Sequence, residues 1–179
     1  RDVRTSAGHL LEMIDDLLDL ARIESGRLEM VEERLEVSDL VDEAMMLVAP
    51  RCEARGVTLG KLLSADAPVV RSDRRAVKQI LINLISNAIK FTPDGGQISV
   101  RARPSGNAVF LVIEDSGIGI ARDALKKLGR PFEQVESQMT KTQTGSGLGL
   151  AIAKSLAELQ GGRMRIRSIE NVGTTVFLR

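Results

Sequence analysis

The sequence predicts an α+β fold: a two-layer α/β sandwich in which helices cover one face of a mixed sheet, preceded by a long amphipathic helix. Three observations predict it. Residues 3–28 place apolar side chains at three-four spacing (Val3, Ala7, Leu10, Ile14, Leu17, Ala21, Leu28), a helical seam broken only at Glu24. Further on, strand-like runs come in pairs, near 97–103 with 108–114 and near 163–168 with 174–178. Helical patterns at 38–55, 73–92 and 147–159 separate them, so paired strands and helices must pack as layers.

In chain order, Leu11, Met13, Leu18, Leu20 and Ile23 widen the first helix's apolar surface beyond a single seam, so this helix needs a partner. No other helix matches its length, and the expected partner is a second copy of the chain or a preceding helix. Ser25-Gly26 ends it, glycine taking the left-handed conformation. Residues 29–36 read as a linker entering a short strand, and Ser38 with Asp39 as the capped start of the next helix. Val57–Leu63 is a strand, Pro68-Val69-Val70 a short extended piece, and Ser72-Asp73 the cap of a central helix. Thr92-Pro-Asp-Gly-Gly96 and Pro104-Ser-Gly-Asn107 are turn signals. A short helix follows near 122–128. Glu133–Ser146 is polar and without period, which reads as a mobile loop. Helix 147–159 stops at Gly161-Gly162, and a hairpin closes around Asn171-Val-Gly173. Three segments result: a helix at 1–28, a linker at 29–36 and a domain at 37–179.

With 179 residues and a net charge of +1, the chain holds one ordinary domain plus an appendage and has no global field to recruit nucleic acid or an anionic membrane. Trp and Tyr are absent, so stacking platforms for single-stranded nucleic acid are missing. The single cysteine, Cys52, rules out an internal disulfide and a metal site built of cysteines, and fits a reducing, cytoplasmic setting. No apolar run approaches the roughly 20 residues of a membrane span, and no signal segment opens the chain. His9, the only histidine, has no acid directly after it to act as its base and reads as a helix-surface residue.

Chemistry concentrates in two places. In Gln79–Thr92, Ile80, Leu84, Ala88 and Phe91 form an apolar face, while Gln79, Asn83, Asn87 and Lys90 form a stripe beside it. Asparagine is unfavourable within helices. Two of them one turn apart form either a solvated stripe or the polar wall of a cavity, whose amide oxygens suit a hard cation. Asp115 ends the apolar strand Val109-Phe-Leu-Val-Ile113 and precedes Ser116-Gly117-Ile118-Gly119: either a plain strand exit, or a carboxylate placed to accept from a nucleobase amino group, with glycines admitting the ring. Gly145-Ser146-Gly147-Leu148-Gly149-Leu150 opens a helix with free amides and serves as a phosphate cradle. No apolar strand leads into it, as a dinucleotide fold requires, and no Gly-Lys-Ser/Thr completes a P-loop.

Asn83-Leu-Ile-Ser-Asn87-Ala-Ile-Lys-Phe, Asp115-Ser-Gly-Ile-Gly, Pro131-Phe132-Glu-Gln and Gly145-Ser-Gly-Leu-Gly-Leu resemble, in order and spacing, the N, G1, F and G2 boxes of sensor histidine kinases of two-component systems. The segment from His9 to Gly26 resembles the second helix of their dimerisation and phosphoacceptor domain. The wording near the F and G2 boxes is similar to alphaproteobacterial cell-cycle kinases of the PleC and DivJ type. The resemblance implies the GHKL sandwich shared with gyrase, the Hsp90 chaperones and MutL, and a site for ATP and Mg²⁺. Asn87 would hold the metal with Asn83 assisting, Lys90 would lie near the phosphates, and Asp115 would take the adenine amino group between Gly117 and Gly119. Phe132 of the F box and Thr144 of the lid at Glu133–Ser146 would contact the nucleotide, and Gly145, Ser146, Gly147, Leu148 and Gly149 would form the phosphate cradle. The implied partners are a response-regulator receiver domain and a second copy joined through the first helix; neither nucleic acid nor membrane is expected. The sequence departs from the pattern where Leu128-Gly129-Arg130 replaces the usual Ile-Phe-Glu and where Gln134 replaces a phosphate-facing arginine. The phosphoacceptor histidine would lie on a helix ahead of this chain, and His9 is not it.

Two other readings fit the residues less well. A GHKL ATP hydrolase resembles a general-base machine with a glutamate one turn before the metal asparagine; here that position is Asn83, which cannot take a proton from water. A silent adaptor would have lost Asn87, Asp115 or the lid glycines, and none is lost. Phosphoryl transfer, which needs positioning and charge stabilisation more than a base, fits best.

Overall fold

The computed structural model describes residues 2–63, 68–106, 108–125, 128 and 146–179, with the side chains of 2–6, 9 and 12 left aside. Helix α1 (Asp2–Glu24) leads through a turn at Gly26, which has a φ of 64°, into strand β1 (Glu32–Glu36). Helix α2 (Val37–Ala54), strand β2 (Thr58–Leu63), strand β3 (Val69–Asp73) and helix α3 (Arg74–Phe91) follow. Then come β4 (Gln97–Ser105), β5 (Ala108–Asp115), the short α4 (Arg122–Leu125), α5 (Gly149–Leu159), β6 (Met164–Ile169) and β7 (Gly173–Leu178).

Five strands form one sheet in the order β2-β4-β5-β7-β6, with β2 parallel to β4 and the other neighbours antiparallel. Alternation decides which face is covered: Ile98, Val100 and Ala102 of β4 and Leu111 and Ile113 of β5 are buried, as are Val176 and Leu178 of β7. They share one core with Leu40, Val41, Ala44 and Val48 of α2, Ile80, Leu81, Leu84 and Ile85 of α3, and Ile152, Ala153 and Leu156 of α5. The two-layer sandwich is as the pattern predicts. Cys52 lies buried in α2, and burial pushes its thiol pKa up.

Two features were not foreseen. Strands β1 and β3 pair antiparallel, Glu32 opposite Asp73 and Glu36 opposite Val69, so part of the expected linker is stitched to the domain and Leu35 enters its core. The first helix also has a partner within its own chain at one end: Leu20 and Ile23 are buried in the common core, and α1 packs on α5. Leu10, Leu11, Met13, Ile14, Leu17 and Leu18 remain exposed. Ser38 is not the cap of α2. That helix begins at Val37 behind Glu36, without a side-chain cap, and the Ser38 hydroxyl instead accepts from Lys61 Nζ at 3.3 Å. Val37 is fully buried, and its packing sets the helix start one residue ahead of the residue with capping chemistry. Strand β4 runs on through Pro104 to Ser105, and Gly106, with a φ of 62°, follows it.

At the start of α3 the predicted cap is present. Asp73 Oδ1 accepts from the Ala76 amide at 2.9 Å, while Oδ2 accepts from the Val31 amide at 2.8 Å, tying the entry to β1 onto the helix. Burial raises the Asp73 pKa, but amides of Val31, Ala76 and Arg75 outweigh it and hold the carboxyl below its usual range. At the other end Arg55 donates to the carbonyls of Ile89 and Lys90, at 2.5 and 3.0 Å, closing the last turn.

Candidate functional site

Helix α3 is the wall that the other motifs meet. Its amide stripe, Gln79, Asn83, Asn87 and Lys90, is half-buried alongside the fully packed Ile80, Leu81, Leu84 and Ile85. Asn83 Nδ2 donates to the carbonyl oxygen of Gly149 at 3.1 Å, and its Oδ1 accepts from Gln79 Nε2 at 3.2 Å. A carbonyl only accepts, so the amide nitrogen must face Gly149; this fixes the orientation of the group. Asn83 therefore clamps the start of α5 to the middle of α3. Asn87, one turn on, has no hydrogen-bond partner among the described residues. Lys90 Nζ stands 5.0 Å from the centroid of the Phe91 ring, and burial lowers its pKa.

Asp115 closes β5 at the far end of α3. One carboxylate oxygen, Oδ1, accepts from the amides of Gly117 at 2.8 Å and Thr174 at 3.2 Å; among the described residues the other oxygen has no partner. Burial raises the Asp115 pKa, opposed by those two amides and assisted by the charge of Glu114. The next turn is pinned on two sides: Ile118 N donates to the Phe91 carbonyl at 3.1 Å, and Asn171 N donates to the Ile118 carbonyl at 2.7 Å. A Cβ on Gly117 would stand 2.6 Å from both Phe91 O and Asp115 Oδ1. At Gly119, φ is 65° and a Cβ would meet Ile169 O at 2.0 Å. These two glycines are thus demanded by close approach of the protein to itself, in addition to any ring they admit.

The glycine loop differs. Gly147 has a φ of 72°, and buried Leu148 anchors the loop in the core. Ser146 Oγ accepts from Leu148 N at 3.2 Å and donates to Asp16 Oδ2, on α1, at 2.8 Å. Gly149 opens α5, and a Cβ there would meet only Asn83, at 3.7 Å, an ordinary contact. The folded chain makes no steric demand for glycine at that position. Phe132, Thr144, Gly145 and the rest of the expected lid before Ser146, with the altered residues at 129–130 and Gln134, lie outside the described residues, as does the side chain of His9.

Of the sequence-predicted residues, α3 brings Asn83 and Gly149 into contact, and the Phe91 carbonyl at its end receives the Asp115–Gly119 turn. Sequence reasoning missed Thr174, whose amide anchors Asp115, and Gly173, where a Cβ would meet Asp115 O at 2.0 Å. Their only signal is the pairing of β5 with β7, Asp115 opposite Thr174, which no local pattern encodes. No cluster of three or more His, Cys, Asp or Glu occurs among the described residues. A Mg²⁺ held by one amide and by substrate phosphates needs none.

Residues 72–179 match the family described as histidine kinase-, DNA gyrase B-, and HSP90-like ATPase. The "Non-motile and phage-resistance protein" of Caulobacter vibrioides is 44% identical over 180 residues, covering 98% of this chain and 21% of that protein. The histidine protein kinase DivJ of the same organism is 41% identical over 177 residues, covering 99% of this chain and 30% of DivJ. The chain thus spans less than a third of the length of either relative. Full-length ShkA, solved in complex with AMPPNP, superposes with a TM-score of 0.87 at 28% identity, over 99% of this chain and 36% of ShkA. The catalytic domain of the histidine kinase ThkA gives a TM-score of 0.72 at 26% identity, over 84% of this chain and 94% of that domain. By the match over residues 72–179 and by relatives more than 40% identical along nearly its whole length, the chain belongs to the histidine kinase-, DNA gyrase B- and HSP90-like ATPase family.

Proposed function

We propose that this chain is the ATP-binding catalytic part of a sensor histidine kinase, which places the γ-phosphate of ATP for transfer to a histidine on a helix outside the chain. The observation that carries the reading is Asp115: half-buried, one oxygen fixed by two backbone amides, the other open to a base amino group. Gly117 and Gly119 flank the base, and Ser146, Gly147, Leu148 and Gly149 offer amides at the start of α5 to the phosphates. Asn87 fits a Mg²⁺ ligand, because its amide oxygen is uncommitted on the half-buried wall. When bound there, Mg²⁺ would neutralise charge on the phosphates. Lys90 adds a cation at the end of the same stripe. Both polar atoms of Asn83 are engaged, so it positions the loop as well as flanking the metal site. Asn83 has no carboxylate with which to activate water, and this favours phosphoryl transfer over hydrolysis.

The same reading assigns residues 1–28 to the dimerisation and phosphoacceptor domain, 29–36 to a linker and 37–179 to the catalytic domain. Its partners are a second copy across the exposed face of α1 and a response-regulator receiver domain, with neither nucleic acid nor membrane, in the cytoplasm. No helix among the described residues is long and apolar enough to cross a membrane. Calorimetry tests the site: Mg²⁺-dependent ATP binding is expected in the wild type and should be lost in Asp115→Asn and Asn87→Ala with circular dichroism unchanged. Unaltered affinity in both variants would refute the assignment. Radiolabel from ATP should not appear on this chain alone, and should appear on a histidine when the protein is extended to include the preceding helix.

A further inference from the structure

The last turn of α3 ends in four carbonyls that no further turn of helix can receive. Each has a partner, and the partners differ in kind. Ala88 O accepts from the amide and the hydroxyl of Thr92, at 3.0 and 2.7 Å, a local close to the helix. Phe91 O accepts from Ile118 N at 3.1 Å, and so holds the turn that carries Asp115 and Gly117. Between them, Ile89 O and Lys90 O both accept from one nitrogen, Nη1 of Arg55, at 2.5 and 3.0 Å. Arg55 thus brings a positive charge to the negative end of α3, beside the carbonyl from which the Asp115–Gly119 turn is hung.

The arginine is itself anchored. Its amide donates to Cys52 O at 3.1 Å, its carbonyl accepts from Gly95 N at 3.3 Å, and Nε donates to Asp94 Oδ1 at 3.0 Å. Cys52 is buried, so the end of α2 is a fixed base from which the side chain reaches across. Asp94 is largely exposed, and an ion pair there is screened and contributes little; the two carbonyl contacts carry the effect.

We infer that Arg55 is a positioning residue for the base end of the nucleotide site. By fixing the carbonyls of Ile89 and Lys90 it sets where Phe91 O stands, and through Ile118 that sets where Asp115 presents its second carboxylate oxygen. The inference deepens the nucleotide-binding reading proposed above and rests on it. Adenine offers an amino group where guanine offers a carbonyl oxygen, so only adenine can draw on the Asp115 acceptor. Slack at the end of α3 should therefore be felt as lost discrimination between the two bases, which a purely stabilising cap would not alter.

Calorimetry with ADP and with GDP, each with Mg²⁺, tests this. The wild type should favour ADP, and Arg55→Ala should cut the preference by about fivefold or more, a fraction of the full value of a hydrogen bond to a charged group, through weaker ADP binding. Asp94→Ala removes only the exposed ion pair, and Asp73→Ala destabilises the opposite end of α3. Both should keep the wild-type preference, and an equal fall in either overturns the role. In spectra taken without nucleotide, the amide resonances of Gly117 and Ile118 should shift in Arg55→Ala while those of Gly147 and Leu148 hold. Where Arg55→Ala does not fold, Arg55→Lys decides, since it keeps the charge but replaces the rigid fork with one flexible ammonium: a preference below wild type supports the role, and an equal one overturns it. An unchanged preference in folded Arg55→Ala, with ADP binding abolished by Asp115→Asn, overturns the positioning role and leaves the site reading standing. ADP binding that Asp115→Asn leaves untouched overturns the site reading, and this role with it.

Discussion

A methyl group added at Gly117 lands 2.6 Å from the Phe91 carbonyl oxygen, whereas one added at Gly149 finds only Asn83 at 3.7 Å. The two substitutions should therefore part company. Gly117→Ala must shift backbone that is hydrogen-bonded on both sides, and it should lower stability and nucleotide affinity together. Gly149→Ala replaces a helix-start glycine with a better helix former, and should raise stability by about 0.4–1 kcal/mol while weakening nucleotide binding through crowding of the phosphates. Urea denaturation paired with AMPPNP titration of both variants checks this; a Gly149→Ala protein that binds as the wild type does would remove that residue from the cradle. At this scale much of the candidate site was legible as an expectation. Asp115, Asn83 and Asn87 stand out because a carboxylate at the end of an apolar strand and paired amides within a helix are both locally unfavourable choices. Thr174 did not stand out, because its contribution is a backbone amide that any residue could supply.

Among the elements, α3 is the best anchored, and the sequence shows why: a capping Asp73 at its start and an unbroken apolar face along it. Asp73 holds two amides from two segments, so Asp73→Ala should cost more than the about 1 kcal/mol of an ordinary N-cap and reach at least about 2 kcal/mol. Its pH dependence has a definite sign. The folded-state pKa is depressed, so the stabilisation is complete above the unfolded-state value of about 3.9 and disappears as pH falls through the lower folded value. The gap in urea midpoint between wild type and Asp73→Ala should be constant at neutral pH and begin to narrow as pH falls below about 3.9; a gap that never narrows on acidification would show that the carboxylate's charge contributes nothing. The α2 start was misread for the complementary reason: at Ser38 the capping chemistry is present, but burial of Val37 decides where the helix begins. Local signals succeed at α3, where chemistry and packing agree, and fail at α2, where they differ by one residue.

Across the whole molecule, the order of the sheet was beyond local pattern. That β2 lies parallel to β4, and that β7 sits between β5 and β6, follows from which apolar faces close one core. The layer arrangement was legible because helical and strand-like periods alternate plainly. The exposed row Leu10, Leu11, Ile14, Leu17 and Leu18 is an apolar face too large for a lone helix, and sedimentation should show concentration-dependent self-association that Leu10→Glu with Leu17→Glu abolishes. A monomer at all concentrations would refute the second copy as the partner of α1. The stitched entry strand has a further consequence, for distance. With β1 paired to β3 and Val31 held by Asp73, the chain between α1 and the sandwich is residues 25–30, of which 25–27 hydrogen-bond back to the end of α1 and Leu28 and Met30 pack on the core. At about 3.3–3.6 Å per extended residue this leash is roughly 20 Å long. Even with those contacts broken, an excursion of the sandwich away from the end of α1 would be confined to that radius.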